Sequence, residues 1–144
     1  MRKPLAVLAT TGAFLLLGAA TPVGRLDVAV AGLRSANGVI RLCLTASPKA
    51  FPACHNDALA VRRNAPAGSP LLAFDGLPPG DYAAAVMHDE NGNKRLDTFA
   101  GIPREGFGFS RNPVVRFGPP RFSAARFTVV GAANRQQVRM RYMF

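Results

Sequence analysis

Beyond its first twenty residues the chain alternates apolar and polar positions with a period of two, and that rhythm predicts strands. Leu26, Val28 and Val30 alternate with Asp27, Ala29 and Ala31 up to Gly32. Val39–Thr45 follows the pair Asn37-Gly38, a strong hairpin signal when apolar runs flank it. Tyr82, Ala84, Val86 and His88 alternate with Ala83, Ala85 and Met87. Ala58–Arg63 and Leu71–Phe74 are shorter candidates, separated by a turn-rich stretch over 64–70. Arg126–Val130 and Gln136–Tyr142 close the series, the last with Val138, Met140 and Tyr142 on one face and Gln137, Arg139 and Arg141 on the other. Such alternation suits half-buried antiparallel strands. The precursor's 12 prolines and 14 glycines interrupt most windows before two helical turns can form. The expected fold is all-β: a single antiparallel β-sandwich of immunoglobulin-like or transthyretin-like type with about seven strands.

The sharpest local signal is Asp75-Gly-Leu-Pro-Pro-Gly-Asp-Tyr82. Leu77 is placed to plug the core, Pro78, Pro79 and Gly80 make a tight turn, and Tyr82 enters the next strand. This segment resembles the turn-and-tyrosine element of transthyretin-like sandwiches. The alternation then stops from Asp89 to about Phe122. Loops longer than about 12–15 residues are uncommon in compact domains and are usually functional or disordered. This one carries Leu96, Phe99, Ile102, Phe107, Phe109, Val114, Val115 and Phe117, so an ordered loop excursion packed on the sandwich is expected over 89–122.

The N-terminus changes the setting. Arg2 and Lys3 precede an apolar run from Leu5 to Leu17, and Gly18-Ala19-Ala20 supplies small residues for cleavage. Residues 1–20 read as a signal peptide and 21–144 as the domain, which places the mature protein in the periplasm or outside the cell. In an oxidising compartment Cys43 and Cys54 are expected to form a disulfide, since a redox or zinc site calls for other spacings or more ligands. The formal charge is +10, and loss of Arg2 and Lys3 leaves +8. The arginines are dispersed and no nucleic-acid-binding motif is visible, so nucleic acid is not an expected partner. A cell-envelope polysaccharide, a lipid surface or a protein fits the charge and the location better.

Two stretches of the excursion carry candidate chemistry. In His88-Asp-Glu-Asn-Gly-Asn-Lys-Arg-Leu-Asp97, Asp89, Asn91, Asn93 and Asp97 fall at positions 1, 3, 5 and 9 of a calcium loop. That spacing lets alternate oxygen ligands converge as the backbone turns. Lys94 stands where glycine makes the sharp turn, and Ala100 where a bidentate glutamate closes the shell. Glu90 or Glu105 supplies a carboxylate only if the fold brings it round. The alternative is an Asx-rich turn in which these side chains bond their own backbone. Further on, Gly101–Asn112 alternates glycines with aromatics: Phe107 and Phe109 either form a platform for a sugar or apolar ligand or bury beneath the loop. His88, Arg104, Phe107, Phe109 and Arg111 are the candidate ligand-facing residues. A catalytic reading is poor. The chain has two histidines, no nucleophile context for Ser110, and in His88-Asp89 an adjacent pair that points to opposite sheet faces.

The full set of stretches resembles the bacterial family called domain of unknown function 2141 over nearly all of Leu26–Tyr142. The resemblance rests on Gly-Leu-Pro-Pro-Gly-Asp-Tyr, His-Asp-Glu-Asn-Gly-Asn, Lys-Arg-Leu-Asp-Thr, Gly-Ile-Pro-Arg-Glu-Gly-Phe-Gly-Phe-Ser and Phe-Gly-Pro-Pro-Arg-Phe. In that family the acidic loop usually reads Asn-Gly-Asn-Gly-Lys-Leu-Asp, so Lys94 replaces a glycine here. The resemblance implies an exported, mostly β domain and brings no activity with it. The expected function is a non-enzymatic binding or structural module of the cell envelope. A calcium-stabilised domain and a carbohydrate or anionic-polymer binder are the alternatives, and a hydrolase is the least supported.

Overall fold

A computed structural model describes residues 18–144 as two packed β-sheets. All but the last three residues of the expected leader lie outside the described residues. The first sheet has the order β10-β1-β4, built from β1 (Gly24–Ala31), β4 (Leu71–Leu77) and β10 (Ala133–Arg139). The second runs β3-β2-β5-β8, from β2 (Val39–Thr45), β3 (Val61–Pro66), β5 (Gly80–Asp89) and β8 (Gly106–Phe109). Strand β9 (Phe127–Val129) pairs with the start of β5. A two-residue hairpin, β6 (Thr98–Phe99) with β7 (Ile102–Pro103), and a one-turn helix α1 (Phe122–Ala125) complete the fold.

The period-two pattern explains the core. Leu26, Val28 and Val30 of β1 meet Ile40, Leu42 and Leu44 of β2, Phe74 of β4, Val86 of β5 and Val138 of β10 between the sheets. A second, smaller cluster lies on the outer side of the second sheet. There Ala83, Phe107, Phe109 and Ala125 are covered by Phe51, Val115 and Phe122. The disulfide Cys43–Cys54, with Cα atoms 6.4 Å apart, ties the segment carrying Phe51 to β2. Phe51 then sits edge-on to both Phe109 and Phe122. The proline turn closes as expected: Leu77 is buried, and the Tyr82 hydroxyl donates to the Pro78 carbonyl at 2.8 Å.

Four local expectations are corrected. Asn37-Gly38 does not join a hairpin, because β1 and β2 belong to different sheets and each has both edges occupied. The glycine is still required there: its φ is +74°, and a Cβ would collide with the Asp89 carbonyl oxygen and Glu90. The sandwich is not wholly antiparallel, since β1 and β10 run parallel. Parallel neighbours need a long crossover, and here nearly the whole domain provides it. Strand β3 starts at Val61, later than the alternation suggested, because the Asp57 side chain accepts the Leu59 N–H and holds 57–60 in a turn. It then runs to Pro66 on an edge strand, where proline is tolerated.

The fourth correction concerns the excursion, which contains strand β8 and pairs it with β5. Glycine alternation hid this strand. Gly106 and Gly108 face the core, where a Cβ would run into the Tyr142 ring and the Val138 side chain. The strand therefore needs glycine at every inward position because β10 and its continuation approach so closely. Backbone bonds between Phe107 and Arg141 (3.0 and 2.8 Å) then link β8 to the chain beyond β10.

Candidate functional site

The polar loop leaves the end of β5, where consecutive residues point to opposite faces. His88 points inward and Asp89 outward, and both are fully buried. The Nε2 atom of His88 lies 2.7 Å from the Asn37 carbonyl oxygen, which can only accept, so Nε2 carries the proton. Nδ1 then accepts from the Tyr142 hydroxyl at 2.8 Å, and that hydroxyl in turn accepts the Arg34 N–H at 3.2 Å. Burial raises the Tyr142 pKa, which keeps the phenol a donor. The Asn37-Gly38 turn is thus a receptor for the β5 histidine.

On the other face, Arg41 reaches diagonally from β2 to Asp89, with Nε 2.7 Å from Oδ2. The same carboxylate accepts the backbone N–H groups of Asn93 (3.1 Å) and Lys94 (2.9 Å). Burial works against the charge on Asp89, but the hydrogen bonds from Arg41, Lys94 and Gly92 outweigh it and hold the pKa below its ordinary value. Asn91 and Asn93 accept the N–H groups two residues on, of Asn93 (3.0 Å) and Arg95 (2.9 Å), as Asx turns do. Their amide nitrogens donate to the two oxygens of Asp97 at 2.6 and 2.8 Å. These bonds lower the Asp97 pKa, led by the one from Asn93.

Glu105 is brought round to the loop, but as a clasp. Its buried carboxylate accepts the N–H of Glu90 and the N–H of Asp97, each at 3.1 Å, pinning both ends of the turn. Glu90 is held by Arg34 (2.6 Å) and by Ser35 (3.0 Å), and the Arg34 bond depresses its pKa. Arg34 also lies 4.6 Å above the Tyr142 ring, which joins the two halves of the network. Around these groups opens a cleft of about 660 Å³ lined by Arg34, Glu90, Asp97, Arg104, Glu105 and Phe144, among others.

The structure links Asp89, Asn91, Asn93 and Asp97 in one hydrogen-bonded turn, with their oxygens already bonded to backbone N–H groups, Arg41 and the two asparagine amides. Among the described residues, no group of three or more His, Cys, Asp or Glu side chains is arranged to hold a metal ion. Arg41 supplies the positive charge that Asp89 needs. Of the residues expected to face a ligand, Arg104 lines the cleft, while Arg111 sits on the following loop, outside the lining. His88 is enclosed. Phe107 and Phe109, 6% and 8% exposed, are buried under Phe51 and Phe122, so they offer no stacking platform. Strand alternation accounts for it: with the two glycines inward, both rings face the disulfide-tethered flap. Sequence reading missed Arg34, Arg41, Asn37 and Tyr142, whose partners in the network lie 48 or more residues away; only the Asn37-Gly38 pair gave a signal, and it pointed to a hairpin.

The model of a bacterial family described as uncharacterised proteins conserved in bacteria, domain of unknown function 2141, matches residues 28–137. The chain belongs to this family. That span of the 2141 family runs from the middle of β1 into β10 and holds the whole polar loop. No curated protein and no solved structure matches the chain significantly.

Proposed function

We propose that this member of the 2141 family is an exported, non-enzymatic binding or structural module of the bacterial cell envelope, with the 88–105 polar loop as a self-satisfied scaffold. One observation carries the reading: the groups best suited to chemistry, His88, Asp89 and Glu105, spend their hydrogen-bonding capacity on backbone and neighbouring side chains. A general acid or base must instead reach a substrate proton. The apolar N-terminal run and the Cys43–Cys54 bond favour an oxidising location, and the envelope offers the anionic surfaces a basic domain meets.

Stability measurements separate a scaffold from an active site, because catalytic groups commonly sit at some cost to stability. Asp89→Ala strands Arg41 and two backbone donors, and is expected to destabilise by about 3 kcal/mol. His88→Ala opens a cavity and orphans the Asn37 carbonyl, with a loss of similar size, about 3 kcal/mol. Urea unfolding of both variants gives the answer: unchanged or raised stability in either would overturn the scaffold reading. Fractionation tests the location, with recovery of reduced, unprocessed chain from the cytoplasm as the contrary result. The calcium reading keeps one observation in its favour, the presence of Asp89, Asn91, Asn93 and Asp97 in one turn, and requires an ion to displace bonds those residues already make.

A further inference from the structure

The segment between β8 and α1 is built unlike the rest of the surface. Phe117 is 97% exposed and Val114 is 74% exposed, on a loop whose ends are firmly held. Val115 and Phe122 pack on the outer apolar cluster. The Asn112 side chain bonds the Gln137 carbonyl (2.9 Å) and the Arg139 N–H (2.7 Å). Pro119-Pro120 stiffens the return. Arg111, Arg116 and Arg121 flank the tip, all exposed, and among the described residues none of the three forms an ion pair. The wider setting has the same sign: from Gly106 to Phe144 there are seven arginines (111, 116, 121, 126, 135, 139 and 141) and no aspartate or glutamate.

From this geometry we propose that the 111–121 loop docks the protein onto an anionic lipid bilayer, with Phe117 and Val114 entering the headgroup–acyl boundary and the arginines on lipid phosphates. A scattered exposed apolar side chain is ordinary. A rigidly based apolar tip ringed by unpaired cations is a surface with two complementary needs, and a bilayer meets both. A soluble polyanion meets only the charge, leaving Phe117 in water. A second copy of the chain would set arginines against arginines. One inserted tip is a weak anchor, and the basic residues supply the second signal that stable surface binding needs.

The inference rests on the envelope location proposed above, but its test does not. The protein is recovered from cells expressing the full chain, its N-terminus is checked by mass, and its binding to vesicles is measured by flotation. One vesicle set is phosphatidylglycerol with phosphatidylethanolamine, the other phosphatidylcholine alone. Binding to the anionic set only is expected. Phe117→Ser should weaken it roughly tenfold, and Arg116→Gln and Arg121→Gln about fivefold each at moderate salt. These positions are exposed, so circular dichroism and Tm should match the parent. The chain has no tryptophan, so Phe117→Trp gives a single reporter whose emission should shift to the blue on anionic vesicles and be quenched by brominated lipid. Binding unchanged by Phe117→Ser overturns the proposal, whether a retained leader or simple charge attraction causes it. So does equal competition by dextran sulfate with no blue shift, which assigns the arginines to a soluble polymer. Failure to float from a confirmed envelope protein removes the docking loop and leaves the envelope reading standing.

Discussion

At the scale of single residues, Lys94 carries a backbone conformation that its side chain disfavours. It adopts φ +65°, the left-handed conformation that glycine takes without strain. For a residue with a Cβ that conformation costs roughly 1–2 kcal/mol, and the bond from its N–H to Asp89 compensates in part. Lys94→Gly is therefore expected to stabilise the fold by about 1 kcal/mol, less the entropy glycine loses on folding, readable as a rise in the urea midpoint. A fall would mean that the Lys94 side chain makes a contribution outweighing its backbone strain. The position was legible beforehand, because the departure from glycine stands in a run of Asx residues whose turn chemistry is local. His88 was not. Its partners come from residues 37 and 142, and no local pattern announces a hydrogen bond to a carbonyl 51 residues away.

Among the elements, β1 and β2 were legible because one apolar face of each is buried and the alternation is clean. Strand β5 was legible because its alternating residues are mostly apolar, and β10 only in its second half, since its start carries the polar Asn134 and Arg135. Strand β8 escaped because its inward face is glycine, the residue that weakens an isolated strand reading, and only the neighbouring Tyr142 and Val138 explain the choice. The outer cluster escaped for a related reason: Phe107 and Phe109 look like surface aromatics until the disulfide brings Phe51 over them. That assigns the disulfide a packing role beside its entropic one. The two cysteines are 11 residues apart, and the chain-entropy model gives about 2.5–3 kcal/mol for such a ring. The double variant Cys43→Ser/Cys54→Ser is expected to lose at least that much, and its Phe51 flap should lose hydrogen-exchange protection together with β8. Loss confined to 46–60, with β8 unaffected, would uncouple the flap from the strand.

For the molecule as a whole, the polar loop makes stability depend on acid. Asp89, Glu90 and Asp97 all have pKa values below their ordinary ones in the folded state. As the pH falls, the unfolded chain takes up these protons first, so their contribution is complete above the ordinary carboxylate range, about pH 4, and is lost as the pH drops through the folded values. The basic chain adds to the effect, since protonating its carboxylates leaves a larger net positive charge to repel itself. Tm measured from about pH 6 down to about pH 2 should fall steeply below about pH 4. Arg34→Gln, which removes the partner that depresses Glu90, should start lower and fall less. Tm rising on acidification would contradict this sign.

The most direct test of the central claim, that the 88–105 loop is folded by its own hydrogen bonds and by Arg41, is thermal unfolding in EDTA and then in millimolar calcium, with magnesium as the control. The account predicts the same Tm in all three, and a Tm well below the parent's for both Asp89→Ala and Arg41→Gln whether or not calcium is present. A native state that binds the ion must gain stability by mass action. A calcium-specific rise in the parent that disappears in Asp89→Ala would contradict the account and make the turn carrying Asp89, Asn91, Asn93 and Asp97 a metal site.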